Sequence, residues 1–260
     1  MAPKITDLEE YVKIWAWDSF LRTRIKEHQK LRYEDVRLEV NWSRVKFTSS
    51  KPEYADQRFA QKPQSQVVFR STYENYTDNF QDHSFQTERS TVSSCTTTVS
   101  KGFTKGIHIE VKLGLPDEVA GATAGFGREV TMESTDESTH EETMTWSINS
   151  NIKVPAHHRT IAELVVREKE FNANFKVTVQ IKGQVVVVVT NLRDNNSFVQ
   201  SIEGDFSEIM KNMAEKLDKN VTISNRVVTW EMEGACQFRF GVEQHVRLRE
   251  SPLVDANGTD

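Results

Sequence analysis

The chain has 260 residues, of which 37% are hydrophobic, with a mean hydropathy of -0.57 and a net charge of -5. These values suit one large elongated domain or two small ones, rich in β-structure and surface, and no basic patch argues for nucleic acid as a partner. No apolar run approaches the roughly 18 residues of a membrane helix, and Met1-Ala2-Pro3-Lys4-Ile5-Thr6-Asp7 lacks the apolar core of a secretory signal.

In chain order, Thr6 to about Gln29 reads as a helix, with Thr6 and Glu9 as a capping box and Leu8, Tyr11, Val12, Trp15, Phe20 and Ile25 as an apolar stripe. Val36 to Trp42 alternates as a strand, Ser49 to Pro63 is polar and reads as a loop, and Ser65 to Phe69 begins another strand. Trp15, Trp17, Phe20 and Trp42 either pack onto neighbouring strands or face outward. If they face outward they are candidate target-binding aromatics for a lipid head group, a glycan or a receptor. Residues 1–70 are accordingly expected as a helix-plus-strand head and 71–260 as a second module.

From Ser71 to Ser100 the composition shifts to Ser, Thr, Asn and Gln with recurring aromatic and β-branched residues, which predicts long strands with little apolar face. A second hydroxyl-rich tract runs from Glu133 to Thr145. Between them lies the most regular alternation in the chain. Ile107, Ile109, Val111, Leu113 and Leu115 alternate with His108, Glu110, Lys112 and Gly114. After a turn at Pro116-Asp117-Glu118, residues Ala122, Ala124, Phe126, Val130 and Met132 alternate with Thr123, Gly125, Gly127, Glu129 and Thr131. Period-two alternation predicts an amphipathic hairpin, and arms of about nine to eleven residues are long enough to cross a bilayer as tilted strands.

Trp146 to Pro155 reads as a strand ending in a turn, Thr160–Arg167 and Phe171–Ile181 as a strand pair, and Gly183 as a turn into Val185–Thr190, whose valine run implies burial on both faces. Asp205 to Lys216 is a short helix, Val221–Glu231 and Ala235–Glu250 are final strands, and the tail from Ser251 is loose. Cys95 and Cys236 read as free thiols. The histidines show no ligand spacing, and no phosphate loop, nucleophile elbow or H-E-x-x-H is present. Glu133, Asp136, Glu137, Glu141 and Glu142 read as a solvated face. No catalytic residue, metal or cofactor is expected.

The order of an amphipathic hairpin between Ser/Thr-rich strands, Ser84-Phe85-Gln86-Thr87 and Thr96-Thr97-Thr98-Val99 before it, then Ile152-Lys153-Val154-Pro155-Ala156 and strands to Gly183, resembles the aerolysin-type β-pore-forming proteins, in particular the epsilon-toxin and mosquitocidal-toxin branch. The likeness spans about Val67 to Gly183. It implies a mainly β, elongated, aerolysin-like protomer of long twisted antiparallel strands and a β-sandwich. It further implies membrane binding, assembly into a homo-oligomeric ring, and an insertion loop at about 99–132 that becomes a transmembrane barrel. Ile107, Ile109, Val111, Leu113, Ala122, Ala124, Phe126 and Val130 would face lipid. Leu115, Pro116 and Val119 would lead through the bilayer, and His108, Glu110, Lys112, Thr123, Glu129 and Thr131 would line the lumen. The missing signal and the helix at Asp205–Lys216 depart from the pattern. A soluble form, cytosolic or released by a non-classical route, is therefore expected before insertion in a target membrane. Val111→Asp is expected to cost about 2 kcal/mol or more in a barrel and to leave the soluble fold intact. The rival reading is a non-lytic ligand- or glycan-binding module on an aerolysin-like scaffold.

Overall fold

Alternating β-branched, aromatic and hydroxyl residues put most of this chain into strands. The computed structural model describes residues 4–60, 64–106, 110–120, 126–133, 137–213, 217 and 219–253. The elements run β1 (Lys4–Asp7), α1 (Leu8–Thr23), β2 (Val36–Asn41), β3 (Val45–Ser49), β4 (Glu53–Phe59), β5 (Gln64–Asn75) and β6 (Gln81–Thr104). Then come β7 (Val111–Gly114), α2 (Asp117–Ala120), β8 (Glu129–Met132), β9 (Ser138–Val154) and β10 (His158–Asn191). The chain continues with β11 (Ser197–Asp205), α3 (Phe206–Asn212), β12 (Val221–Ser224) and β13 (Val227–Pro252).

β10 is the spine. Its 34 residues would extend on the order of 110 Å if straight. Along one edge it pairs antiparallel with β5, β4, β3 and β2, laid end to end in reverse chain order. Along the other it pairs with β13 as far as Ile181, then with β11 from Gln184. The mainly β, long-stranded architecture expected from the sequence is the one observed. Within the first seventy residues β1 pairs with β6 while β2, β3, β4 and the start of β5 take their sheet partners from β10, and position 70 falls inside β5.

Several boundaries differ from the sequence reading. Thr160–Arg167 and Phe171–Ile181 are one strand with a bulge at Arg167/Glu168, because both stretches pair with β13 in succession. Gly183 does not turn the chain. It has φ +133°, and a Cβ there would lie 2.1 Å from the Arg44 carbonyl oxygen, so β10 passes this point only as glycine while exchanging one set of partners for the next. Beyond it Val185, Val187 and Val189 are fully buried and Val186 and Val188 half-buried. The polar stretch Ser49–Pro63 contains β4, which β10 holds in place despite its mostly exposed side chains. The last two strands divide at Asn225–Arg226, where both residues have positive φ as a tight hairpin requires, and β13 runs unbroken through Gly234. Helix α1 is shorter than expected. Asp7, not Thr6, caps it, accepting from the Glu9 N–H at 2.9 Å, and Arg24 is already extended. The helix at Asp205 is present, as α3.

The main core gathers α1, α3 and the inner faces of β6, β10 and β13, and a smaller cluster forms around Phe85, Ile152 and Leu164. Glu163, only 1% exposed, ties three strands together. One carboxylate oxygen accepts from Arg70 on β5 at 2.6 Å and the other from Arg247 on β13 at 2.7 Å. Hydrogen bonds from Arg247, then those from Arg70, hold its carboxyl below the usual carboxylate range, while burial opposes them. Cys95 and Cys236 are free and buried, and burial pushes the Cys236 thiol up to about 12.

Candidate membrane-inserting ribbon

The two hydroxyl-rich tracts pair with each other. β6 and β9 form an unbroken antiparallel ladder from Gln81 opposite Val154 to Thr97 opposite Ser138. Their odd-even alternation puts Phe85, Ser93, Cys95, Thr97, Trp146, Ile152 and Val154 inward. Thr96, Thr98, Thr139, Thr143 and Thr145 face solvent or its margin. Everything between these strands is the connection the sequence marks out for insertion.

Within it β7 and β8 pair as a separate two-stranded sheet, with Val111 opposite Met132, Lys112 opposite Thr131, Leu113 opposite Val130 and Gly114 opposite Glu129. The Leu115 N–H donates to the Arg128 carbonyl at 3.0 Å and extends that register by one pair. One face is apolar. Val111, Leu113, Leu115, Val119, Phe126, Val130 and Met132 are each at most 7% exposed and belong to the main core. Phe126 packs edge-on to Phe238 of β13 at 6.0 Å and beside His140 at 6.3 Å. Full burial of seven such side chains is worth on the order of 10–20 kcal/mol gross. The other face is polar. The Lys112 ammonium meets Glu129 at 2.7 Å, both well exposed, and the two sit with Glu110 and Thr131 along a groove of about 770 Å³ beside β3. The pair raises the Lys112 pKa through its hydrogen bond with Glu129.

Among the described residues, few polar bonds fasten the ribbon to the body. The Tyr54 hydroxyl donates to the Gly114 carbonyl at 2.6 Å. Asp7 Oδ1, already bonded to Glu9, also accepts from the Gly106 N–H at 3.0 Å, so the cap of α1 holds the start of the connection. Lys105 lies 4.7 Å over the Phe47 ring. Neither Tyr54 nor Asp7 carries a sequence signal for this role, since their partners lie 60 and 99 residues away.

Among the expected site residues, Ile107, His108, Ile109, Ala122, Thr123 and Ala124 lie outside the described residues. Pro116 is buried and starts the turn into α2. The expectation that Val111→Asp spares the soluble fold is overturned: Val111 is 1% exposed in the core, so the substitution would bury an unpaired carboxylate. Of the four aromatics offered to a target, Phe20 is fully buried, which corrects that placement for its ring in this state. Trp15, Trp17 and Trp42 are half-buried. Trp17 stands against Phe20 and Tyr33, Trp42 against Phe47 and Phe206, and Trp15 lies where a Cβ on Gly204 would be. Among the described residues, apolar side chains that do face solvent near α1 and β11 include Leu21, Ile25, Tyr33, Leu192 and Phe198. Among the described residues no group of three or more His, Cys, Asp or Glu stands ready to hold a metal, and no helix is long and apolar enough to cross a membrane, which says nothing of strands.

The family model of Clostridium epsilon toxin ETX and Bacillus mosquitocidal toxin MTX2 matches residues 38–260, which include the ribbon and both flanking strands. The chain belongs to this family. ETX/MTX2 proteins are aerolysin-type pore-forming toxins, the branch that the sequence resembles. Solved structures similar to this family member include a non-toxic crystal protein from Bacillus thuringiensis, at 16% identity over 96% of this chain and 98% of that one, with a TM-score of 0.54. Another is the Cry23Aa1 and Cry37Aa1 binary protein complex, at 14% identity over 98% and 93%, with a TM-score of 0.50. The Mpp75Aa1.1 β-pore-forming protein from Brevibacillus laterosporus matches at 12% identity over 95% and 90%, with a TM-score of 0.46. At these identities the first two establish a shared fold. No curated protein matches the chain.

Proposed function

We propose that this protein binds membranes as a soluble protomer, joins its copies into a ring and inserts the β7–β8 ribbon as part of a transmembrane β-barrel. The observation that carries the proposal is the ribbon itself. It is apolar on one face and charged on the other, it pairs with no strand of the main sheet among the described residues, and it is strung between two long paired strands. In lipid Val111, Leu113, Phe126 and Val130 face the acyl chains, joined by Ile107, Ile109, Ala122 and Ala124 through alternation, while Leu115, Pro116 and Val119 lead. Glu110, Lys112, Glu129 and Thr131, with His108 and Thr123, line the water-filled lumen. Residues 1–70 serve as the head that meets a receptor, glycan or lipid surface. The role asks for no enzyme chemistry and no cofactor.

Only closed barrels satisfy the backbone groups of strands in lipid, so the ribbon requires neighbours from other copies. Dye-loaded liposomes test this. Detergent-resistant oligomers with dye release are expected, and membrane binding with neither would replace the pore by the second reading. That reading, a non-lytic ligand- or glycan-binding module, draws on one observation: a protein described as non-toxic shares the fold.

A further inference from the structure

We infer that the ribbon inserts by slipping eight residues in register, so that β7 and β8 continue the β6–β9 ladder, and that β1 is the strand displaced to let them. The inference rests on the pore reading above and specifies its refolding step.

The register mismatch is the first observation. β6 and β9 keep one offset over their whole shared length. Continued past Thr97–Ser138, that offset places Phe103 opposite Met132, Thr104 opposite Thr131, and Pro116 opposite Val119. In the structure Thr131 instead faces Lys112, eight positions beyond Thr104. Two ladders out of step cannot form one continuous hairpin, and a barrel strand spanning β6 and β7 requires that they agree. Eight is an even number, so the slip keeps every side chain on its face. Val111, Leu113, Val130 and Met132 then follow the inward face of β6–β9, and Lys112, Glu129 and Thr131 follow the hydroxyl face that carries Thr96, Thr98 and Thr139.

The second observation is the tip. The continued register leaves Asp117-Glu118 as a two-residue turn closed by Pro116 and Val119. The Val119 N–H already donates to the Pro116 carbonyl at 2.9 Å. In the protomer this bond lies in the first turn of α2, so the slip keeps the Pro116–Val119 closure while Asp117 and Glu118 leave their helical backbone for a hairpin turn, and Pro116, which has no N–H, closes it by this one bond.

The third is the obstruction. At Lys101 strand β6 carries β13 on one side and β1 on the other, and at Ser94 to Thr97 it carries β13 and β9. β1 therefore occupies the same edge of β6 as β9. It fills that edge from Lys101 to Thr104, with Asp7 opposite Thr104, where Thr131 must arrive. Asp7 also grips Gly106, so one short strand both holds the start of the connection and keeps its destination filled.

Paired cysteines distinguish the registers, since directly opposed antiparallel residues lie within disulfide reach. Lys112→Cys/Thr131→Cys fixes the protomer's register at two exposed sites. Thr104→Cys/Thr131→Cys bonds only in the continued one. The probe is phosphatidylcholine–phosphatidylserine–cholesterol vesicles loaded with self-quenching dye, with the unsubstituted protein oxidised alongside. Oxidised Lys112→Cys/Thr131→Cys is expected to bind vesicles and release no more dye than buffer, with release restored by reductant. Thr104→Cys/Thr131→Cys is expected to stay reduced in solution and to cross-link within each chain on vesicles. Dye release by the locked variant equal to that of its reduced form would overturn the slip while leaving the pore intact. No release by the unsubstituted protein would overturn the pore reading and the slip with it.

Discussion

Leu113→Ala separates the two states in which the ribbon is expected to live. Leu113 is fully buried on β7 opposite Val130. Truncating such a residue costs about 2–5 kcal/mol, made of a transfer part and a cavity part. Three carbons at about 0.8 kcal/mol each give a transfer part of roughly 2.4 kcal/mol. That part is lost equally when the ribbon lies in lipid. The cavity part, on the order of 1 kcal/mol at mid-range, is felt only in the close-packed protomer, because fluid acyl chains fill the gap. The substitution should therefore tilt the balance toward the inserted form by about fivefold, although it weakens the soluble protein. Amide exchange at 111–114 and 129–132 should quicken, and dye release from vesicles should be faster at equal bound protein. Leu164→Ala, an equally buried change in the other core cluster, should lower the melting temperature without quickening exchange in the ribbon. Slower release by Leu113→Ala, or a global loss of stability with ribbon exchange unchanged, would falsify the view of the ribbon as a separately opening unit.

Tyr54→Phe removes the bond to the Gly114 carbonyl at about 1 kcal/mol. Exchange of the 111–114 amides should rise several-fold while the melting temperature barely moves. Gly183→Ala drives a Cβ into the Arg44 carbonyl at a positive φ, at about 2–4 kcal/mol; thermal melting or failure to accumulate folded protein reads it. Glu163→Gln should lower the melting temperature at neutral pH by leaving Arg70 and Arg247 without their carboxylate. The folded-state pKa of Glu163 is depressed, so its contribution is present above the unfolded pKa and is lost as pH falls through the folded one. The gap between wild type and variant should accordingly close in acid, and a gap that widens there would contradict the assignment.

What the sequence made legible follows from how local each signal is. The ribbon's alternation is a property of neighbouring residues, and the buried and exposed faces observed at Val111–Gly114 and Glu129–Met132 are the ones that period two predicts. The Pro116 turn and the helix at Phe206 were legible for the same reason. β10 reads as separate pieces in the sequence because Arg167-Glu168-Lys169-Glu170 and Gly183 look like interruptions. Their resolution is long-range: Arg167 pairs with Glu243 and Glu168 with Arg239, both across on β13. A helical stripe says that one side of α1 is apolar but not which aromatics lie at its centre. The buried line is Leu8, Val12, Ala16 and Phe20, which closes off Phe20. β1 was invisible because four residues hold no pattern of their own and take their conformation from the edge of β6.

The apolar face of the ribbon has two uses, and this sets the order of events. In the protomer it is covered by the core, so a ribbon that leaves alone gives up its burial and gains nothing until lipid covers the same atoms. In lipid the burial returns, but β7 and β8 then expose outer backbone edges, and each unpaired group costs several kcal/mol there. Neither step is downhill for one copy. A neighbour on each side removes the edge cost, and a closed ring removes it for every copy at once. Release of the ribbon should therefore follow assembly. Below the concentration at which copies meet on the membrane, bound protein should keep Tyr54 on Gly114, β1 on β6 and the ribbon amides protected from exchange. Loss of that protection in bound but unassembled protein would place insertion before assembly and undo this order.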